Sequence, residues 1–202
     1  MLDEKFIILG ALLSFSGGLN YLINTIKGKT KPNRVSWFLW TLAPMIAFAA
    51  EIDKGVGLTS LMTFMTGFNP LLIIIASFLN KKSYWKLNKM DYVYGSISLF
   101  AIFIWQITGE GNLAILFSIL ADGLASIPTV IKSYRQPETE SGLIFLFGMI
   151  NAGITLLTIK DWTFAHWGFP VYIFLICVIL YSLIKFKLGL LIQAKINKNF
   201  AK

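Results

Sequence analysis

The chain has 202 residues, of which 56% are apolar and only 14% are charged. Soluble proteins carry about 45–50% apolar and about 25% charged residues, so this composition excludes an ordinary soluble domain. The chain contains one cysteine, Cys177, and one histidine, His166, which excludes a disulfide framework and argues against a zinc site. The formal net charge of +8 suggests nucleic-acid binding unless the positions of the basic residues have another cause.

Seven apolar segments follow one another along the chain, with roughly the 17–25 residues that a helix needs to cross about 30 Å of hydrocarbon. Because the bilayer offers the backbone no hydrogen-bonding partners, each segment is predicted to be a helix. The sequence therefore predicts an all-α integral membrane protein with seven transmembrane helices. They cover roughly residues 5–26, 35–51, 58–80, 92–108, 112–133, 142–159 and 163–184.

Lysine and arginine fall almost entirely on one side of the predicted helices. Only three of the eighteen lie on the other side, namely Lys5, Lys54 and Lys160. The positive-inside rule then places the N-terminus outside and the C-terminus in the cytoplasm. This topology accounts for the net charge and argues against nucleic acid as a partner. The residues on the predicted cytoplasmic side are Lys27, Lys29, Lys31, Arg34, Lys81, Lys82, Lys86, Lys89, Lys132, Arg135, Lys185, Lys187, Lys195, Lys198 and Lys202.

The chain carries a weak internal repeat. Shifted by 105 residues, the sequence matches itself without a gap from the first predicted helix into the second. The identical pairs are Gly18 with Gly123, Leu19 with Leu124, Ile26 with Ile131, Lys27 with Lys132, Pro32 with Pro137, Ser36 with Ser141 and Ala47 with Ala152. A shorter offset then aligns residues 68–70 with residues 168–170.

Helices one to three thus match helices five to seven, and helix four returns the chain so that a parallel copy can begin. We predict a first three-helix repeat over residues 1–80, a linker helix over 81–110, a second three-helix repeat over 111–184 and a basic cytoplasmic tail over 185–202. Parallel repeats of this kind are typical of transporters, which bind substrate at the membrane midplane between the halves. A duplication retained only for helix packing is the alternative.

The second cytoplasmic turn resembles a PQ-loop motif. Residues 127–132 read Ile-Pro-Thr-Val-Ile-Lys and residues 139–143 read Thr-Glu-Ser-Gly-Leu, where the motif has a Pro-Gln pair, a basic residue and a Ser-rich entry into the next helix. Thr129 replaces the Gln, and the first copy keeps only Lys27 and the turn over residues 31–36. With its 3+1+3 order and outside N-terminus, the chain resembles the SWEET and PQ-loop transporter superfamily. The resemblance implies alternating access and leaves the substrate open.

Asp122 lies near the centre of the fifth apolar segment and is the most deeply placed acid of the sequence. An ionisable residue at membrane depth is costly and indicates function. Because no Lys or Arg falls at a similar depth, the apolar surroundings favour a protonated carboxyl group, and we expect proton linkage through this residue. A structural aspartate that is hydrogen-bonded to Ser118 or Ser126 is the alternative. The other acids near the segments fall at their ends, where we expect water or headgroups to solvate them; they are Glu51, Asp91 and Glu110.

Three asparagines lie inside the apolar segments, and we expect two of them, Asn69 and Asn151, to share a midplane site with Asp122. Asn69 and Asn151 lie near the middles of segments three and six, and Asn20 lies on the cytoplasmic side of the centre of segment one. Carboxamides both donate and accept hydrogen bonds, which suits sugar hydroxyls or amino-acid head groups. The resemblance implies a substrate-binding Asn on the third helix of each repeat; Asn69 matches the first, and Phe169 occupies the second place. Interhelical hydrogen bonds of about 0.6 kcal/mol each are the alternative role.

Prolines and tryptophans provide the remaining candidates. A proline removes a hydrogen-bond donor from a helix and creates a place to bend, and related transporters use such prolines as hinges. Proline is also common in membrane helices. Trp37 and Trp40 fit either a substrate-stacking role at the cytoplasmic mouth or the interfacial aromatic belt, which is the more common role. The hinge candidates are Pro44, Pro70, Pro128 and Pro170.

These features predict a membrane transporter of a small polar metabolite, such as a sugar or an amino acid, that works by alternating access between two three-helix bundles. The alternative is a membrane receptor or trafficking protein on the same scaffold, which binds without transport. No paired acids, Ser–His pair or metal-ligand cluster is evident, so we expect neither an enzyme nor a cofactor. The expected location is the cytoplasmic membrane of a prokaryote, and a homo-oligomer is compatible with the sequence.

Overall fold

The computed structural model describes residues 2–83, 85–108 and 110–193. The described residues form an all-helical protein and contain no β-strand, which confirms the predicted fold class at this level. The basic tail beyond residue 193, with Lys195, Lys198 and Lys202, lies outside them. The α-helices are α1 (Phe6–Ile26), α2 (Arg34–Asp53), α3 (Ser60–Leu79), α4 (Lys89–Thr108), α5 (Gly111–Arg135), α6 (Gly142–Thr158) and α7 (Phe164–Lys185).

Five of the described helices are long and apolar enough to cross a membrane, namely α1, α2, α3 with the turn before it, α5 and α7. By length and composition, the chain is therefore an integral membrane protein. Helix α6 has 17 residues. At 1.5 Å per residue it spans about 26 Å, which is short of a hydrocarbon core of about 30 Å. Helix α4 has 20 residues, but Lys89, Asp91 and several polar residues interrupt its apolar sequence, and it is not among these five helices.

Short polar turns end the first helix and begin the second. The side-chain Oδ1 of Asn33 accepts the backbone N–H groups of Val35 at 3.1 Å and Ser36 at 3.3 Å, which caps the start of α2. Gly28, just past α1, has a φ of +73°, in the left-handed region that helix ends commonly assign to glycine. These local signals fix the end of α1 and the start of α2.

The helices pack into one connected bundle. Helix α1 contacts α3 and α6, helix α2 contacts α3 and α5, and helix α7 contacts α5 and α6. Helix α4 contacts α5 and, less extensively, α2. Large apolar side chains on the outer faces stay exposed, for example Leu79 and Ile107, each more than 70% exposed. Soluble monomers rarely leave extended apolar surface uncovered, so these faces suit hydrocarbon.

Helix α1 approaches its neighbours through small residues. A Cβ atom added at Gly10 would collide with Asn151 of α6, and one added at Gly18 would collide with Asn69 of α3. Such close backbone approaches are typical of helix pairs in membranes, where small residues replace bulky ones at the contact.

The connections α1–α2, α3–α4 and α5–α6 lie together at one end of the bundle, which we call the basic end. The backbone N–H of Lys31 donates to the carbonyl of Thr139 at 3.1 Å and joins the first of these connections to the third. The hydroxyl of Ser83 donates to the carbonyl of Thr25 and joins the second to α1.

Candidate functional site

A cavity lies in the interior of the bundle and encloses about 540 Å³ of space that atoms do not fill, its open mouth included. Residues of α1, α2, α3, α5, α6 and α7 line it, and no described side chain of α4 is among them. Of the predicted substrate-binding residues, Asn69, Asp122 and Trp40 line this cavity, together with the predicted hinge residue Pro70.

Among the described residues, Asp122 is the one acid in the cavity wall, and none of the lining residues is Lys, Arg or His. The residue is 2% exposed. Its Oδ2 accepts a hydrogen bond from the hydroxyl of Tyr172 on α7 at 2.6 Å, and its Oδ1 has no hydrogen-bonding partner among the described residues. Ser118 and Ser126 do not bond to the carboxyl group: the Ser126 hydroxyl donates to the carbonyl of Gly123 at 2.7 Å, and the Ser118 hydroxyl has no partner in the described part of the chain.

Three aromatic rings form one wall of the cavity. The rings of Trp37 and Trp40 meet edge to face at 5.3 Å between centroids, and Trp40 meets Phe145 of α6 in the same way at 6.2 Å. Trp37 is 1% and Trp40 7% exposed, so the belt interpretation of these two residues is wrong. The Trp40 indole donates to the backbone carbonyl of Asp122 at 3.3 Å, whereas the Trp37 indole N–H has no partner among the described residues.

Asn69 of α3 forms hydrogen bonds to α1 in the wall of the cavity. Its Nδ2 donates to both the carbonyl and the hydroxyl of Ser14, each at 3.1 Å. Its Oδ1 lies against Gly18 and has no hydrogen-bonding partner within the described residues. The amide group therefore stabilises the α1–α3 contact and leaves one acceptor unused.

The other two predicted asparagines lie away from the cavity wall. Asn151 is 1% exposed and packs against Gly10 where α6 meets α1. Asn20 lies toward the basic end, where its Oδ1 accepts hydrogen bonds from Asn24 at 3.0 Å and from Ser141 at 3.2 Å. A site shared by Asp122, Asn69 and Asn151 was the expectation, and the structure brings together only the first two.

All four hinge candidates lie inside helices. Pro44 is in α2, Pro70 in α3, Pro128 in α5 and Pro170 in α7, and each is buried. Each removes one backbone donor from its helix. Their role as hinges stays a prediction.

A buried polar network joins the connections at the basic end. Lys132 in the last turn of α5 forms an ion pair with Glu140, and both side chains are almost fully buried. The Lys132 ammonium also donates to the carbonyl of Lys31 at 2.5 Å and lies 5.0 Å above the ring of Trp85. The Tyr21 hydroxyl of α1 donates to the second oxygen of Glu140 at 2.5 Å. We call Tyr21, Lys31, Lys132 and Glu140 the basic-end network.

Two acids that sequence position assigned to solvated helix ends are buried. Glu51 is 1% exposed, and its Oε1 accepts the hydroxyl of Thr63 at 3.0 Å. Asp91 is also 1% exposed and accepts hydrogen bonds from the Asn33 amide at 2.9 Å and the Asn88 backbone at 2.6 Å. The expectation that water or headgroups solvate these acids is wrong, because neighbouring segments cover them.

Several of these contacts had no signal in the sequence. Tyr172 lies 50 residues from Asp122, and Glu140 lies 119 residues from Tyr21. One signal was present: the 105-residue register that pairs Gly18 with Gly123 also pairs Trp40 with Phe145, and these two rings meet in the cavity wall.

The described residues contain no cluster of three His, Cys, Asp or Glu side chains that could hold a metal ion. The polar groups in the cavity wall are the carboxyl group of Asp122, the amide of Asn69, two indoles, two hydroxyls and one thiol, among apolar and aromatic surfaces. A carboxylate oxygen without a partner can accept a ligand's hydrogen bond, pair with a cation or take up a proton.

No protein-family model matches this chain, and neither a curated protein nor a solved structure matches it.

Proposed function

We propose that the chain is a membrane transporter of a small polar metabolite and that the interior cavity is its substrate site. The observation that carries this proposal is the wall of that cavity, which places the free Oδ1 of Asp122 beside three aromatic rings in the interior of a membrane protein. A buried polar oxygen without a partner is costly, so a ligand or a proton that satisfies it is favoured.

The helix contacts support an architecture of two parallel three-helix repeats. If the two repeats are equivalent, α1, α2 and α3 correspond to α5, α6 and α7, and each contact should have a counterpart. The α1–α6 contact then corresponds to α5–α2, the α2–α3 contact to α6–α7, and the α1–α3 contact to α5–α7. All of these pairs are in contact. The cavity takes lining residues from all three helices of each proposed repeat, as expected for a substrate site between two halves.

The full proposal has seven membrane helices in a 3+1+3 order, with the N-terminus outside and the C-terminus in the cytoplasm. In this arrangement α4 and α6 also cross the bilayer, which thins locally or tilts neighbouring helices to accommodate the shorter α6. Membership of the SWEET and PQ-loop superfamily and a prokaryotic cytoplasmic membrane belong to the same proposal.

Alternating access requires that one end of the cavity be closed while the other is open. The basic-end network links both proposed repeats, because Tyr21 and Lys31 belong to the first and Lys132 and Glu140 to the second. We therefore assign it the closure of the basic end. Transport then requires that these contacts break and re-form in each cycle.

Cys177 offers a direct test of the cavity, because it is the single cysteine of the chain and lines the wall. Purified protein is screened with sugars, amino acids and vitamin precursors by thermal shift. Compounds that stabilise the protein are then tested for protection of Cys177 from a small alkylating reagent and for flux into proteoliposomes. We expect one compound class to stabilise, protect and be transported.

Matched variants on α5 separate the site from general effects on the helix. Asp122→Ala should abolish both protection and flux, whereas Ser118→Ala, one turn away on the same helix and outside the cavity wall, should preserve both. Binding and protection without flux would instead establish the receptor alternative. Flux that persists in Asp122→Ala would remove this residue from the site.

A further inference from the structure

A second concave surface lies on the outside of the bundle, between α2, α3 and α4. It spans about 770 Å³, open solvent included, and shares no lining residue with the interior cavity. Its walls are mostly apolar, and Phe38, Phe78 and Tyr92 along it are 49%, 64% and 59% exposed. We call this surface the outer groove.

One cationic side chain, Arg34, lies in the outer groove at its basic end. Its Nε donates to the Ser77 hydroxyl at 3.1 Å and its Nη2 to the Ser77 carbonyl at 2.6 Å. Its guanidinium carbon lies 4.1 Å from the centre of the Phe78 ring. These contacts hold the charge at the end of α3, a helix that is long and apolar enough to cross a membrane.

Three further basic residues lie at the basic end of the bundle. Lys82, Lys86 and Lys89 lie in or next to the α3–α4 connection and are exposed. The outer groove therefore combines a cationic end with an apolar body that runs along α2 and α4 toward Leu39 and Leu99.

We propose that the outer groove binds one anionic phospholipid, with the phosphate of the headgroup at Arg34 and an acyl chain along the apolar wall between α3 and α4. Charge complementarity selects an anionic headgroup, because guanidinium groups bind phosphate and basic pockets between membrane helices bind acidic lipids. The exposed aromatic and aliphatic walls match an acyl chain. A soluble anion would leave these walls uncovered, so the lipid is the occupant that fits both halves of the groove.

Helix α4 meets α2 closely at Gly95, one of the lining residues of the outer groove. A Cβ atom at Gly95 would lie 2.7 Å from the Val35 side chain, so the two helices touch closely at this point. Helix α2 contacts both α3 and α4, and all three helices contribute lining residues to the outer groove. A lipid in the outer groove would therefore bridge α3 and α4, with the first proposed repeat on one side and the linker helix on the other.

Native mass spectrometry of the full chain in detergent tests the proposal. Phosphatidylglycerol and phosphatidylcholine with identical acyl chains are titrated separately, with inorganic phosphate as a third probe. We expect a one-to-one phosphatidylglycerol adduct at a concentration about tenfold lower than for phosphatidylcholine, and no retained adduct with phosphate alone. Equal retention of the two lipids would overturn the proposal, as would a dimer that forms in place of the lipid adduct.

Three variants locate the binding. Arg34→Gln should remove the preference for phosphatidylglycerol, and Ser96→Phe, which fills the groove without a change of charge, should reduce retention of both lipids. Lys29→Gln removes one charge from an exposed side chain at the same end and should leave the preference intact. Circular dichroism checks that each variant is folded. The assignment to the outer groove would be overturned by a preference that survives Arg34→Gln, by unchanged lipid retention in Ser96→Phe, or by a preference that falls as far in Lys29→Gln as in Arg34→Gln.

Discussion

The free Oδ1 of Asp122 makes this residue the most direct test of proton linkage. Asp122→Asn resembles the protonated carboxyl group in charge and shape and keeps an oxygen for the Tyr172 hydroxyl. We expect this variant to fold and to lose the pH dependence of uptake, because no proton is gained or lost at the site. The measurement is proteoliposome uptake of the compound identified by thermal shift, across acidic to neutral pH. An unchanged pH profile would contradict proton linkage through Asp122.

The two glycines that the repeat register pairs, Gly18 and Gly123, differ sharply in their surroundings. A Cβ at Gly18 would collide with Asn69, whereas a Cβ at Gly123 would lie 3.7 Å from the Tyr172 ring, an ordinary contact. We expect Gly18→Ala to destabilise the protein by about 1–3 kcal/mol through overpacking and Gly123→Ala to have a much smaller effect. Thermal denaturation in detergent measures both, and equal melting temperatures would show that the α1–α3 contact is not close in solution.

Among the helices, α5 offers the most direct test of a proline hinge, at Pro128. Helix α5 runs unbroken from Gly111 to Arg135, and Pro128 leaves the carbonyl of Leu124, four residues earlier, without its usual backbone donor. We expect Pro128→Ala to preserve folding and slow transport, because the alanine restores the hydrogen bond and stiffens the basic-end half of the helix. Unchanged flux in proteoliposomes would leave the proline without a role in bending.

The basic-end network provides a second prediction at this scale. Removing one partner of a buried ion pair typically costs about 3–5 kcal/mol, because the remaining charge is left uncompensated. Glu140→Gln should therefore lower the melting temperature and, if the network closes the basic end, increase the rate at which a water-soluble maleimide modifies Cys177. Glu138→Gln changes an exposed carboxylate two residues away in the same turn and is the matched control.

A double variant separates opening of the basic end from loss of stability. Lys132→Met combined with Glu140→Leu removes both charges and leaves neither buried alone, so stability should stay closer to that of the unmodified protein. We expect Cys177 to remain more reactive in this variant. A modification rate equal to that of Glu138→Gln would show that the network stabilises the turns without closing the cavity.

The apolar runs predicted where helices lie, because hydrocarbon imposes helical hydrogen bonding on any long apolar segment. They predicted the start of α2 within one residue, at 35 against Arg34. They did not reveal which faces of the helices meet. The sequence is the same whether Trp37 and Trp40 lie in an interfacial belt or in the protein interior. Their packing against Tyr21 and Phe145 in the structure distinguishes the interior location from the belt.

The candidate site was predictable where depth alone identifies a residue. An acid at the centre of an apolar segment is unusual, which identifies Asp122 from the sequence, and Asp122 lies in the cavity wall. Asn151 has the same depth, but the rotation of α6 turns it toward Gly10 of α1, and sequence position does not fix that rotation. In the sequence, Glu140 is only part of a turn motif. Its burial depends on Tyr21 of α1 and Lys132 of α5, which both contact it at the basic end.

The two ends of the bundle differ in charge, and this difference predicts how the whole molecule is oriented in the membrane. The basic end carries the α1–α2, α3–α4 and α5–α6 connections, whereas the opposite end carries the backbone hydrogen bond from Leu2 to Leu157 and the exposed ion pair of Lys160 with Glu4. Because lysine and arginine are retained on the cytoplasmic side during insertion, we expect the basic end to face the cytoplasm.

Single cysteines at positions 29, 82 and 160, in a Cys177→Ser background, report directly on which side of the membrane each position lies. An impermeant thiol reagent should label position 160 in intact cells and positions 29 and 82 only after permeabilisation. Labelling of 29 and 82 from outside, with 160 protected, would establish the inverted orientation, and the proposed substrate path would then open to the opposite compartment.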